Sequence, residues 1–282
     1  MIVSKEKKSS VGKGKNVFIY SIACERRNID AQKIYSYLSE NDFNIVDDIK
    51  EADYIILMTC GFVKSISDRS LELIKKFKEY DSELIVAGCL PDILKEKFDS
   101  VFDGKIIPTK DMNRIDEIFS AGPVKFGDLE DEHFMWQNFN KRTYIGIVKR
   151  VSRKIKFVRR INTYFVNNIL KKIFGKMFYK TFPFNRLIAE YGTYLISICR
   201  GCIHNCTYCA IRKAVGPLKS KPPNQCVQEF KLGLKEGYKN FVLEADDVGP
   251  YGLDIKSSLP ELLDKITNID GDYSLELKNT HP

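Results

Sequence analysis

In Tyr54-Ile55-Ile56-Leu57-Met58-Thr59-Cys60-Gly61-Phe62 a continuous apolar run, Tyr54 to Met58, leads through Thr59 to a thiol and a glycine. An unbroken apolar run of this length reads as a strand buried on both faces, since a half-exposed strand would alternate. Working outward, Val17-Phe18-Ile19-Tyr20-Ser21-Ile22 reads as a second buried strand and Leu84-Ile85-Val86-Ala87 as a third. Amphipathic stretches lie between them. Asp30 is placed to cap a helix whose apolar face carries Ile34, Tyr37 and Leu38. Ser67 is placed to cap another, with Leu71, Ile74 and Phe77 at three-residue spacing, and Pro91 to open the next. Ile106 to Pro108 and Met112 to Phe119 repeat the pattern more weakly. Strand–helix alternation with continuous apolar strands predicts an α/β fold, with residues 16–122 forming a doubly wound domain around a parallel sheet.

Three cysteines take equivalent places in that pattern. Cys24 follows the first strand, Cys60 the second strong strand and Cys89 the third, each at a C-terminal end. Open α/β sheets bind ligands at that edge. One cysteine near a strand is ordinary core. Three on one edge read as a three-thiolate cluster site, with Gly61 and Gly88 letting the backbone approach an inorganic group closely.

The same rhythm resumes after Tyr191. Tyr194-Leu195-Ile196-Ser197-Ile198 reads as a buried strand, Val227 to Leu234 as a helix with Phe230 and Leu234 on one face, and Asn240-Phe241-Val242-Leu243 as the next strand. Ser258 and Glu261 form a capping box ahead of Leu262, Leu263 and Ile266, and Tyr273 to Leu277 reads as a third strand. This βαβαβ pattern over residues 191–282 is the first three strands of a (β/α) barrel. Barrels of this kind place their chemistry at strand C-terminal ends. There, after the first strand, stands Gly201-Cys202-Ile203-His204-Asn205-Cys206-Thr207-Tyr208-Cys209. Three thiolates at C-x3-C-x2-C spacing can hold three irons of a cubane cluster and leave the fourth open to a cofactor or substrate. The alternative is zinc, completed by His204, Cys199 or Cys226, because structural zinc takes four closed ligands.

Composition bounds the reading. The chain has 282 residues, 44% of them hydrophobic, which is enough for one large or two ordinary domains. Eight cysteines at this length do not make a disulfide framework. No apolar stretch follows the basic start, and no run reaches the roughly 18 residues of a membrane span. A cytoplasmic, reducing setting is expected, where clustered cysteines read as metal ligands. The net charge of +8 hides an asymmetry: residues 141–190 hold fourteen Lys or Arg and one acid, so that segment carries +13 and the remainder −5. Tyr144, Phe157, Tyr164, Phe165, Phe174, Phe178, Tyr179, Phe182 and Phe184 are interleaved with those cations. Residues 123–190 therefore read as a nucleic-acid contact, as a basic helix on a membrane surface, or as a linker packing its aromatics inward. Residues 1–15 are expected to be a disordered basic tail. Cys199 and Cys226 read as core, and His133 and His281 show no partner in the sequence.

With these residues in place, the chain resembles the methylthiotransferase family of radical S-adenosylmethionine (SAM) enzymes. Thr59-Cys60-Gly61-Phe62 and Ala87-Gly88-Cys89-Leu90 resemble its second- and third-cysteine motifs. Asp246-Asp247-Val248-Gly249-Pro250-Tyr251-Gly252-Leu253-Asp254 resembles the segment after its second barrel strand, and Gly216 and Ser220 a Gly-x-x-x-Ser element. The resemblance implies two 4Fe-4S clusters and SAM as cofactors. Cys202, Cys206 and Cys209 would hold the cluster that cleaves SAM. Cys24, Cys60 and Cys89 would hold an auxiliary cluster bearing the sulfur to be inserted. Tyr208, Glu244, Asp246 and Asp247 would lie around SAM. It implies sulfur insertion and methylation on a tRNA adenosine beside the anticodon or on a ribosomal protein. An electron donor such as flavodoxin or ferredoxin would serve the cluster. The chain departs from the pattern at Arg212, where the family has Pro, and at Val215, where it has Arg. It also lacks the last barrel strands and the C-terminal RNA-binding (TRAM) domain, and so reads as a fragment or as a split or diverged protein, the fragment being the favoured expectation. A cobalamin-dependent radical SAM enzyme fits less well, as no histidine precedes His133 to supply an Asp-x-His-x-x-Gly motif. A radical SAM enzyme acting on a peptide or small molecule and a non-catalytic iron–sulfur RNA-binding scaffold are the remaining readings.

Overall fold

The computed structural model describes residues 14–120, 122–135 and 192–280. The expectations for residues 1–13, for the basic aromatic segment from 136 to 191 and for His281 lie outside the described residues. The described chain divides into two compact units: residues 14–131, 135 and 207–215 in one, and 132–134, 192–206 and 216–280 in the other.

The first unit runs β1 (Asn16–Ser21), α1 (Glu25–Glu40), β2 (Asn44–Ile45), β3 (Tyr54–Thr59), α2 (Lys64–Phe77), β4 (Glu83–Gly88), α3 (Leu90–Ile93), α4 (Lys95–Asp99), β5 (Lys105–Pro108) and α5 (Arg114–Ile118). Its five strands pair in parallel in the order β2-β1-β3-β4-β5. This is the doubly wound arrangement read from the apolar runs. The period of two explains why β3 is apolar from Tyr54 to Met58. Ile56 and Met58 pack with Ile34, Tyr37 and Leu38 of α1 on one face, and Ile55 and Leu57 with Leu73, Ile74 and Phe77 of α2 on the other.

Two helix starts differ from expectation. Cys24, not Asp30, occupies the N-cap of α1, with extended backbone at φ −70° and ψ 172°. Asp30 lies inside the helix, its carboxylate 2.8 Å from the Arg27 guanidinium one turn earlier, and both side chains are buried. A neutralised acid tolerates a helix interior. Likewise α2 begins at Lys64, and the Ser67 hydroxyl donates to the Lys64 carbonyl at 2.8 Å instead of capping.

Further along come β6 (Thr193–Ser197), β7 (Cys199–Arg200), α6 (Ile211–Val215), β8 (Lys219–Ser220), α7 (Pro223–Lys235), β9 (Asn240–Glu244), α8 (Leu259–Thr267) and β10 (Ser274–Leu277). All but α6 belong to the second unit. Strands β6, β9 and β10 pair in parallel and in sequential order, as the βαβαβ reading requires, and β7 and β8 form a short antiparallel pair. Tyr194 and Ile196 of β6, Phe230 of α7, Phe241 and Leu243 of β9, and Leu262 and Ile266 of α8 make the core. The cap read at Ser258 is present, its hydroxyl accepting the Glu261 amide at 3.3 Å. Helix α7 starts at Pro223, ahead of the Val227 expected, because a proline in the first turn sacrifices no helical amide.

Candidate functional site

In the first unit, β1, β3 and β4 are neighbours in the sheet, so Cys24, Cys60 and Cys89 all follow strands at one edge. The strand order reverses direction between β1 and β3, which is the switch point where open α/β sheets leave a crevice. Cys24 is exposed, Cys89 partly exposed and Cys60 buried. Local bonds fix the last two. The Ser70 hydroxyl lies 3.4 Å from the Cys60 amide and 3.3 Å from its carbonyl, and the Cys89 sulfur lies 3.7 Å from the Thr109 hydroxyl. Gly88 adopts φ +102°, and a Cβ there would fall 2.3 Å from the Thr59 carbonyl oxygen. The glycine thus allows β4 to close on the end of β3, a packing role nearer to hand than the cluster approach expected of it.

In the second unit, the loop after β6 carries Cys202 and Cys206, both partly exposed, and the chain continues to a partly exposed Cys209. The loop is tied to the segment after β9. The Gly201 amide donates to Asp246 Oδ2 at 2.9 Å. His204 Nε2 lies 3.1 Å from Asp247 Oδ2, and Asp247 Oδ1 accepts the Gly249 amide at 3.0 Å. The Cys199 thiol donates to the Asp247 carbonyl at 3.4 Å. Within the loop, the His204 amide donates to Cys202 Sγ at 3.4 Å, a bond that favours a thiolate. Tyr208 is 82% exposed.

Of the acids at the end of β9 and just after it, Glu244 and Asp247 are buried and Asp246 is partly so. Glu244 Oε1 accepts from Asn279 Nδ2 at 2.8 Å, and the same amide donates to the Ala245 carbonyl at 3.1 Å. Asn279, at φ +59°, escaped the sequence reading, whose only available signal was that Asn tolerates left-handed backbone. His133 finds partners in Leu195, whose carbonyl is 2.8 Å from Nδ1, and in the stacked ring of Tyr194. Cys199 and Cys226 are core, as expected. Burial pushes the Cys199 thiol up to about 12, helped by the nearby Asp246 and Asp247 carboxylates, and burial pushes Cys226 up to about 11. At the positions where the resemblance departs, Val215 is buried and Arg212 exposed.

All eight cysteines are unbridged. Among the described residues, no three His, Cys, Asp or Glu side chains stand together closely enough to hold a metal ion. The fit to thiolate-bound clusters is therefore one of donor chemistry and placement, with thiols in two threes at strand C-terminal ends and an amide aimed at one sulfur. Among the described residues no helix is long and apolar enough to cross a membrane.

Residues 16–107 match the family model described as Uncharacterized protein family UPF0004. The chain is 27% identical over 276 residues to the ribosomal protein uS12 methylthiotransferase RimO of Acetivibrio thermocellus, covering 95% of this chain and 53% of the relative. It is 26% identical over 267 residues to the probable threonylcarbamoyladenosine tRNA methylthiotransferase of Pyrococcus horikoshii, covering 94% and 53%. Among solved structures, it is similar to the radical SAM methyltransferase TsrM of Kitasatospora setae with cobalamin and a 4Fe-4S cluster bound, at TM-score 0.46 and 11% identity, covering 86% of this chain and 50% of that one. The resemblance first seen in the cysteine motifs is supported by these relatives, and the chain spans about half the length of the curated methylthiotransferases it matches.

Proposed function

We propose that the protein is a radical SAM methylthiotransferase that inserts sulfur into an unactivated C–H bond and methylates it. The observation that carries the reading is the presence of two three-thiol sets, one following three neighbouring parallel strands and one in the stretch that follows β6 and β7, in a chain similar along its length to named methylthiotransferases. Cys202, Cys206 and Cys209 would hold one 4Fe-4S cluster, and Cys24, Cys60 and Cys89 the other. Bound there, the first cluster with SAM supplies reductive radical chemistry and the second supplies sulfur. The chain's own part is to bind and orient. The His204 amide steadies the Cys202 thiolate, Tyr208 is exposed enough to stack on the adenine, and Glu244, Asp246 and Asp247 stand at the barrel edge where SAM would lie.

The substrate is tRNA or a ribosomal protein, in line with what the relatives' names say of those proteins. The setting is cytoplasmic, with flavodoxin or ferredoxin as electron donor. A second reading, a peptide or small-molecule substrate on the same architecture, is favoured by the buried Val215 where the family carries Arg. Mass spectrometry of tRNA and of ribosomal proteins from a deletion strain tests both. A missing methylthio mark on either names the substrate, and no missing mark on both favours the second reading. Reconstituted protein should bind about eight irons, four per cluster. The triple Cys24→Ser, Cys60→Ser, Cys89→Ser variant should keep half of them and still cleave SAM. Stoichiometric zinc in place of iron, or unchanged iron in the triple variant, overturns the two-cluster assignment.

A further inference from the structure

We infer that Asp246 and Asp247 are positioning residues that fold the C-x3-C-x2-C loop before any cofactor binds. The inference rests on the cluster reading only for the loop's purpose, since the ties themselves are protein–protein bonds. The two acids are adjacent just beyond β9, and their carboxylates reach two points of the loop after β6. Asp246 Oδ2 accepts the Gly201 amide at 2.9 Å, one residue before Cys202. Asp247 Oδ2 meets His204 Nε2 at 3.1 Å, between Cys202 and Cys206. Asp247 is itself held, at Oδ1 by the Gly249 amide and at its carbonyl by the Cys199 thiol, and it is only 5% exposed. It therefore acts as a fixed anchor.

The loop's own backbone is shaped to meet these anchors. Gly201 adopts φ +87°, and a Cβ there would lie 2.0 Å from the Pro217 carbonyl oxygen. The chain thus crosses close over the 216–217 turn, where the Cys202 amide donates to the Gly216 carbonyl at 3.3 Å. A loop fastened on both sides of Cys202 loses less conformational entropy when its thiolates are gathered around a metal. The acids do this through backbone amides and an imidazole, so the role needs no contact with SAM.

Hydrogen exchange of the metal-free full chain tests the inference. Asp246→Ala and Asp247→Ala should each raise exchange at the Gly201, Cys202 and His204 amides roughly ten- to hundredfold, the loss expected for a hydrogen bond to a charged group. Phe241 and Leu243 in β9 should stay protected. Asp246→Asn and Asp247→Asn keep a carbonyl acceptor and should restore part of the protection. If Asp247→Ala also exposes β9, then Asp246→Ala and His204→Gln decide by the same readout. Exchange in the loop that is already at unfolded-chain rates in the wild type, or that does not change in any variant, overturns the inference. Iron content of the reconstituted wild type is read separately. Its absence sinks the cluster reading while leaving the exchange result standing, and normal iron with an unaltered loop sinks the positioning role alone.

Discussion

Gly88 is the residue on which the cysteine edge of the first unit turns. Its φ of +102° and the 2.3 Å approach to the Thr59 carbonyl leave no room for a side chain. Gly88→Ala should therefore cost about 2–4 kcal/mol, combining left-handed strain with overpacking against backbone that cannot swing away. Urea denaturation measures it, and a loss under about 1 kcal/mol would mean that the strand ends relax apart. The buried thiols give a second prediction at this scale. Cys199 and Cys226 hold their protons up to about 12 and about 11 because burial disfavours the thiolate, whereas in the unfolded chain they ionise near ~8.5. Above that lower value the unfolded state binds fewer protons, so stability should fall as pH rises, by about 1.4 kcal/mol per unit for each thiol until its folded value is reached. Urea midpoints at pH 8 and pH 10 read the slope, and a flat profile contradicts the burial. In native protein at pH 8, iodoacetamide should label the exposed Cys24 quickly and leave Cys199 and Cys226 unlabelled until the chain unfolds.

At the scale of elements, α8 depends on one cap. Ser258 accepts the Glu261 amide, and Ser258→Ala should cost about 1 kcal/mol, with faster exchange confined to the first turn of α8. Ser258→Thr should restore most of it, and an equal loss in both variants would assign the cost to packing. This cap was legible in the sequence because Ser, Glu and an apolar run follow at fixed spacing. The long strands were legible for a similar reason: β3 and β4 face helices on both sides, so their burial demands unbroken apolar runs. The starts of α1 and α2 were not, because Asp30 and Ser67 are cap-type residues whose polar groups are satisfied within the helix, by Arg27 and by the Lys64 carbonyl. Strands β2, β7 and β8, two residues each, leave no periodicity to read. For the candidate site, the sequence showed which residues bear the thiols and that acids follow β9. It could not show that Asp246 reaches Gly201 or that Asp247 reaches His204. Those bonds span more than forty residues and depend on how β6 and β9 lie in register.

For the whole molecule, charge decides more than net charge suggests. Residues 141–190 carry +13 and everything else −5, so attraction of the described units to a phosphate backbone has little to drive it. If tRNA is the substrate, that segment, which lies outside the described residues, carries most of the positive charge available to bind it. Each phosphate neutralised releases condensed counterions, and log K should fall against log salt with a slope of about −0.7 per contact on single strands and about −0.9 on duplex. Engaging about five of the fourteen cations gives a slope of about −4, so affinity drops by two to three orders of magnitude between ~50 and ~200 mM salt. Replacing the fourteen Lys and Arg of residues 141–190 with Gln should flatten that slope towards zero and abolish binding at physiological salt, while the urea stability of the rest of the chain is kept. Filter binding or anisotropy across a salt series measures both quantities. Undiminished binding in the neutral variant would place the RNA contact on the α/β units despite their acidity. A steep slope that vanishes with the cations would instead make the segment the element that brings RNA to the two cysteine sites.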